Sequence, residues 1–261
     1  NVLATTNDFI VWYAREGKKL KYHQLYLEKD ISELRGYNQV EDARGASRKL
    51  SKVEVQRPES LTNDQRIFQQ ENLTSTGYSE TLSRPFEYRD AAYSPAAGNH
   101  WKTTSRGMEN LARVNRLVGS ANTLNFKRYL DDFPVYPLTH VWQDISVGFG
   151  SDSKAYVVQT SSQVIERCLL MTTDPGDLVL DPTCGSGTTA FVAEKWGRRW
   201  ITCDTSRVAV TLAKQRLMTA SYDYYDLKYP HEGLKAGFIY KTVPHVTLKS
   251  IANNPEIDEL W

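Results

Sequence analysis

The chain has 261 residues, enough for one or two domains with a substantial core. Its 32 Lys and Arg nearly balance its 31 Asp and Glu, so no global field marks a nucleic-acid binder and any basic surface must be local. Cys168, Cys184 and Cys203 form no Cys-x-x-Cys pair, which argues against a disulfide framework or zinc site and fits thiols in a reducing cytoplasm.

No apolar run is long enough to span a bilayer and no secretory leader is visible, so a cytoplasmic protein without a membrane partner is expected. The chain opens at Asn1 directly on an apolar run and reads as cut from something longer. Within residues 1–16, Phe9-Ile10-Val11-Trp12-Tyr13 follows a turn signal at Asn7-Asp8 and predicts a strand, with Leu3 on a second limb of a hairpin. Such a hairpin belongs to a larger sheet.

Residues 17–150 have a different character. Residues 22–27 predict a short strand and 31–35 a helical turn. Residues 41–66 are polar, with Arg44, Arg48, Lys49, Lys52 and Arg57 among acids, and predict a solvated helix and loop. The Ser/Thr/Asn-rich stretch 69–83 predicts a loop. In residues 105–117, Met108, Leu111 and Leu117 predict one helix, which carries Arg106, Arg113 and Arg116. Residues 125–130 predict a strand, 134–137 a turn, 141–145 a short apolar run and 148–151 a joint.

Ser161 or Ser162 can cap a helix whose apolar face is Val164, Ile165, Cys168, Leu169 and Met171. Asp174-Pro175-Gly176 stops it. Three units then follow without a break. Residues 178–180 are a buried-type strand ending on Asp181. Residues 182–187 are a tight glycine turn, and 188–196 have helix composition closed by Gly197. Residues 200–203 are a second strand, again ending on an acid, Asp204. This is a nucleotide-type βαβ unit. Gly185 and Gly187 permit close backbone approach and positive φ. The loop's N–H groups and the helix start suit a carboxylate or phosphate, and Asp204 stands where ribose hydroxyls are bound. Thr188 and Thr189 are ligand contacts or simply helix-start residues. A helix over 206–219 should turn Val208, Ala209, Leu212, Ala213 and Leu217 inward and Arg207, Lys214 and Arg216 outward. The tail predicts a strand at 238–243 and a helix at 248–253.

The motif Asp181-Pro182-Thr183-Cys184-Gly185-Ser186-Gly187-Thr188-Thr189 resembles the Asp-Pro-Phe-x-Gly-Ser-Gly-Thr-Thr cofactor motif of the permuted, beta-class N6-adenine and N4-cytosine DNA methyltransferases, with Thr183 in place of Phe. Upstream, Tyr156-Val157-Val158-Gln159-Thr160-Ser161 stands where that family has Tyr-Pro-Thr-Gln-Lys-Pro. Gln159 keeps its place, but Thr160-Ser161 replaces Lys-Pro, so that lysine's contact is not carried over. Trp101-Lys102-Thr103-Thr104 and Trp142-Gln143-Asp144-Ile145 resemble features of the family's target-recognition region, and modification subunits of type III restriction systems look closest. The likeness is specific at residues 156–204 and looser at 17–150.

The resemblance implies an α/β fold: the C-terminal part of a Rossmann-like S-adenosylmethionine-dependent domain with a large inserted α+β target-recognition region. Residues 1–16 would be a strand or hairpin of the methyltransferase sheet, 17–150 the recognition region, 151–221 the cofactor-binding βαβ part and 222–261 a C-terminal extension. It implies a cofactor set of Asp181, Pro182, Cys184, Gly185, Ser186, Gly187, Thr188, Thr189 and Asp204, with Gln159 and Thr160. Double-stranded DNA would be met at Lys102, Arg106, Arg113 and Arg116, with Arg48, Lys49 and Lys52 as a second cluster; a solvated salt bridge is the alternative for each. A restriction subunit and a second copy of the chain are further partners. The family's Asp/Ser/Asn-Pro-Pro-aromatic tetrapeptide, which grips the target amine, is missing, since the chain has no Pro-Pro pair. The expected protein is therefore an adenine-N6 DNA methyltransferase whose 261-residue chain alone is inactive. Alternatives are a non-catalytic recognition module that keeps the pocket as structure, an RNA or small-molecule methyltransferase, and a nicotinamide dehydrogenase. The dehydrogenase is disfavoured because the loop lacks the third glycine of Gly-x-Gly-x-x-Gly.

Overall fold

The computed structural model describes residues 8–145 and 160–259. In chain order the elements are β1 (Tyr26–Glu28), β2 (Gln39–Glu41), β3 (Ser47–Lys49), α1 (Lys52–Gln56), β4 (Arg66–Asn72), β5 (Thr74–Thr76), β6 (Phe86–Tyr88), β7 (Ala91–Tyr93), β8 (Asn99–Trp101), α2 (Ser105–Arg113), β9 (Leu117–Ser120), β10 (Thr123–Tyr129), β11 (Val135–Pro137), α3 (Ser162–Thr172), β12 (Leu178–Asp181), α4 (Thr188–Lys195), β13 (Arg199–Thr202), α5 (Arg207–Thr219), α6 (Leu248–Ala252) and α7 (Glu256–Glu259). The chain divides into two compact units, residues 1–26 with 137–241 and residues 27–136 with 242–261.

The second unit is built on a five-stranded antiparallel sheet in the order β3-β2-β4-β10-β9. Its central strands supply the fully buried Phe68 and Phe126. Thr104 caps α2 by accepting from Gly107 N–H, and the helix turns Met108 and Leu111 into a core with Leu73, Trp101, Leu117, Leu124, Ile251 and Ile257. Burying each such side chain contributes about 1.5–3 kcal/mol. Two small antiparallel ladders accompany it, the β6-β7 hairpin and the β5-β8 pair that brackets it in sequence.

Several expectations fail here. Residues 41–66 are not a solvated helix and loop but β2, β3, the short α1 and the start of β4. Residues 69–72 extend β4 and 74–76 form β5, where a loop was expected. The turn expected at 31–35, by contrast, is present, Leu34 N–H donating to the Ile31 carbonyl at 3.2 Å. The α2 helix stops at Arg113, and Leu117 opens β9 instead of closing the helix. Residues 135–137 are strand rather than turn.

The first unit holds the parallel pair β12-β13, with Leu178 opposite Arg199 and Asp181 opposite Thr202. Its core is Leu169 from α3, Val179 from β12, and Val192 and Ala193 from α4. The α3 face is as expected at Leu169, but Arg167 is buried too, bonded to Asp144 and stacked on Trp142. The run Phe9 to Tyr13 forms no strand; its five side chains are exposed, because no described strand offers it a ladder. The joint at 148–151 lies outside the described residues. The tail strand expected at 238–243 reduces to a single bridge between Leu227 and Phe238. Among the described residues no helix is long and apolar enough to cross a membrane.

Candidate functional site

The site is the loop between β12 and α4, with Asp204 beside it. Pro182 cannot extend the ladder, so β12 ends at Asp181 and the chain turns. Cross-strand bonds continue past the strands themselves: Cys203 N–H donates to the Asp181 carbonyl at 3.0 Å and Cys184 N–H to the Cys203 carbonyl at 2.9 Å. The loop then closes on itself, Gly187 N–H donating to the Cys184 carbonyl at 2.8 Å. Gly185 and Gly187 adopt φ of +50° and +77°. A side chain at Gly187 would also collide with α5, since its Cβ would stand 2.7 Å from Ala213 Cβ. This glycine is therefore required by helix packing as well as by the turn.

Asp204 ties the two strand ends together. Its Oδ2 accepts from Gly185 N–H at 2.9 Å and its Oδ1 from Ser206 N–H at 2.8 Å. The N–H groups of Ser206 and Gly185 hold its carboxyl below the usual aspartate range, so it is an anion at neutral pH. Each oxygen keeps a second lone pair for a hydroxyl donor. Asp181 Oδ1 accepts from Thr183 N–H at 3.1 Å.

These bonds correct one expectation. Thr183, Cys184, Gly185 and Gly187 direct their N–H groups into the protein, so the loop backbone is not an open cradle at those positions. What remains to meet an anionic group is the first turn of α4, whose N–H groups have no partner within the helix.

The sequence-chosen residues separate into two kinds. Pro182 and Thr183 are exposed, and Asp181, Gly185, Thr189 and Asp204 are half-buried around the loop. Cys184, Ser186, Gly187 and Thr188 are buried and brace it. Thr188 Oγ1 accepts from Arg216 Nη1 at 3.0 Å, and that guanidinium lies 4.6 Å from the Phe191 ring centre. Arg216 therefore supports the loop instead of facing solvent, a role that helical spacing alone cannot show. On α5, Ala209 and Ala213 are buried as expected but Val208 is 65% exposed. Thr160 is exposed at the start of the described segment, and Gln159 lies outside the described residues.

The other chosen cations lie in the second unit. Lys102, Arg106, Arg113, Lys49 and Lys52 are exposed. Lys102 Nζ donates to the Asn72 carbonyl at 2.7 Å. Arg48 is exposed but forks onto Glu54 at 2.9 and 2.6 Å. Arg116 is a correction. It is buried, with both terminal nitrogens on Asp132 at 2.5 and 2.8 Å, and is withdrawn from the DNA-contact set.

That pair is one edge of a buried charge network that the sequence did not reveal. Glu41 accepts from Lys127 Nζ at 2.5 Å, from Asn115 Nδ2 at 3.0 Å and from the Tyr129 hydroxyl. The Tyr129 ring lies between two guanidiniums, Arg66 at 3.7 Å and Arg116 at 4.4 Å from its centre. Burial and the Glu41 carboxylate push its phenol well above the ordinary tyrosine range.

Comparison with known proteins adds a family. The family model described as DNA methylase matches residues 2–215. The type II methyltransferase M.BamHI of Bacillus amyloliquefaciens is 37% identical over 87 residues, covering 33% of this chain and 20% of the relative. M2.DpnII of Streptococcus pneumoniae, also a type II methyltransferase, is 42% identical over 59 residues, 23% of this chain and 22% of its own length. M.EcaI of Enterobacter cloacae, a third, is 29% identical over 126 residues, 47% of this chain and 28% of its own. The chain thus spans between a fifth and three tenths of these relatives. A crystal structure of an M1.HpyAVI–SAM complex aligns over 28% of this chain and 36% of its own, at 30% identity and a TM-score of 0.27.

Proposed function

The chain belongs to the DNA methylase family, and from that premise we propose that it is the cofactor-binding and target-recognising part of a site-specific DNA methyltransferase of a restriction–modification system. The carrying observation is the Gly185 N–H bond to Asp204, which locks the glycine loop to the acid after the neighbouring parallel strand. The residues present fit S-adenosylmethionine: an ionised acid with free lone pairs for two ribose hydroxyls, and a helix start for the amino-acid carboxylate. When bound, that group supplies a methyl on a positively charged sulfur.

Asp204 would hold the ribose, and the first turn of α4 with Asp181 the methionine part. Cys184, Ser186, Gly187 and Thr188 keep the loop in shape. Gln159 and Thr160 belong to the same proposed set. Positioning supplies most of the rate in such a transfer, because the leaving group needs no protonation. The acceptor is proposed to be a flipped adenine, attacking through N6. The finer likeness to type III modification subunits is part of this proposal and rests on residues 156–204.

Residues 27–136 would read DNA, with Lys102, Arg106, Arg113, Lys49, Lys52 and Arg48 toward phosphates. We further propose that the residues gripping the acceptor base are supplied from outside residues 1–261, since these contain no Pro-Pro pair. The sheet supports that reading. Parallel strands are normally covered on both faces, yet Leu178, Leu180 and Ile201 on β12 and β13 are 53%, 63% and 53% exposed. A restriction subunit and a second copy of the chain remain proposed partners.

Calorimetry tests the donor site: S-adenosylhomocysteine should bind the chain and NAD should not. Labelled methyl transfer tests the rest. The chain alone should methylate no DNA, and transfer by it would refute the division of labour. The same missing motif favours, as a second reading, a recognition module without catalysis. A full-length protein that carries no Pro-Pro-aromatic tetrapeptide would decide for that reading.

A further inference from the structure

Among the described residues, three that are not glycine adopt positive φ: Arg89 at 50°, Asp90 at 63° and Asn115 at 55°. All three meet at one place in the second unit. Arg89 and Asp90 form the two-residue tip of the β6–β7 hairpin, where Tyr88 pairs with Ala91. A turn of this hand is made without strain by Asn-Gly or Gly-Gly. Backbone strain retained at an exposed tip points to a use for the side chain it carries.

The hairpin is fixed, not a loose flap. Tyr88 is buried, and its hydroxyl donates to the Leu117 carbonyl at 3.1 Å. Tyr93 packs so closely on Gly119 that a Cβ there would overlap its hydroxyl. Both anchors reach β9. The guanidinium is itself oriented, 5.2 Å from the Tyr88 ring centre and donating through Nη2 to Asn115 Oδ1 at 3.3 Å. Asn115 is held in turn: its Nδ2 donates to Glu41 at 3.0 Å, and its Oδ1 accepts from Lys127 at 3.3 Å. Glu41 and Lys127 are 4% and 2% exposed. A buried charge pair therefore sets the direction of an exposed arginine. That arginine makes no ion pair among the described residues and has most of its five N–H donors unspent.

We infer that Arg89 reads a base, presenting its fork to the O6 and N7 edge of a guanine in the major groove, with Asn115 as its positioning residue. The inference rests on the reading of this unit as the DNA-recognising one. A phosphate accepts a cation from many directions and needs no such alignment; a bidentate pair with guanine needs the guanidinium plane fixed.

The test selects bound sites from a randomised duplex pool with the 261-residue chain, its Arg89→Ala and Arg89→Lys variants, and Asn115→Gly, which keeps the positive φ. The wild type should enrich a motif containing guanine. Arg89→Ala should lose preference at one guanine by about tenfold or more while the other positions persist, and Arg89→Lys should not restore it. Asn115→Gly should relax the same position, with thermal melts confirming that each variant is folded. An unchanged motif with Arg89→Ala overturns the inference alone. Equal weakening on all sequences, with the log–log salt slope reduced by about one, makes Arg89 a phosphate contact and also overturns it. A wild type that enriches no motif overturns the recognition reading and the inference with it.

Discussion

Gly187 and Ala213 stand in direct contact, the backbone of the glycine loop against the middle of α5, with no room for a Cβ between them. Gly187→Ala would meet both that wall and the +77° backbone. The expected loss is roughly 2–4 kcal/mol, from the left-handed conformation plus overpacking. Urea denaturation checks it. Ala213→Gly in the same chain should recover only part of the steric share, because Ala213 Cα stays 3.0 Å from the added Cβ, and should recover none of the backbone share. A Gly187→Ala chain as stable as wild type would refute the packing role.

Arg116 and Asp132 should behave as one unit. Removing the guanidinium leaves a carboxylate 2% exposed without its nearest counter-charge, Arg66 standing at 3.9 Å. Arg116→Ala is expected to cost about 3–5 kcal/mol. Lys49→Ala and Lys52→Ala, on exposed positions, should stay within about 0.5 kcal/mol. On DNA the order reverses, with each lysine variant lowering the salt slope by about one and folded Arg116 variants leaving it unchanged. Denaturation curves and binding titrations at several salt concentrations separate the two roles.

Asp204 gives a pH prediction. Its folded-state pKa lies below the ordinary value of 3.8, chiefly through the N–H groups of Ser206 and Gly185. A lowered carboxylate pKa contributes stability that is present above the unfolded value and lost as pH falls through the folded one. S-adenosylhomocysteine affinity should therefore be flat between pH 7 and about 5, and Asp204→Asn should weaken it at both. Calorimetry showing a steep loss already at pH 5 would assign the ribose contact to a different group.

Glu54 offers a cleaner titration. The guanidinium of Arg48, then the Ser51 N–H and hydroxyl of the α1 capping box, hold its carboxyl at about 2 instead of 4.5. Its contribution to α1 is complete above 4.5 and disappears as pH falls through about 2. Carbon-detected NMR titration follows the side chain directly. In Arg48→Ala the midpoint should rise toward the ordinary glutamate range; an unmoved midpoint would show that the cap alone sets it.

The part of the fold that was legible in the sequence is the part whose signals are local. The β12–loop–α4–β13 unit lies within a residue of its expected bounds, because Pro182, Gly187, Gly197 and the two strand-end acids punctuate it. Ser206 and Thr104 likewise announce the starts of α5 and α2. The sheet of the second unit was hidden. Its short strands take their identity from partners distant in sequence, and Glu41, Lys127 and Arg116 look like surface residues until their partners are known. Phe9 to Tyr13 failed in the opposite way, with strong strand propensity and no ladder to join. At the site, loop and acid were legible, whereas the inward N–H groups and the Arg216 brace depend on contacts no periodicity encodes.

The phenol of Tyr129, between two guanidiniums and against Glu41, bears on how this unit can diverge. Glu41, Arg116, Lys127, Tyr129 and Asp132 share one internal charge balance, so a change at any one of them strands its neighbours. Drift through single substitutions is closed at these positions. Related chains should therefore keep the five together or replace them as a block, while the exposed hairpin tip beside them is free to vary.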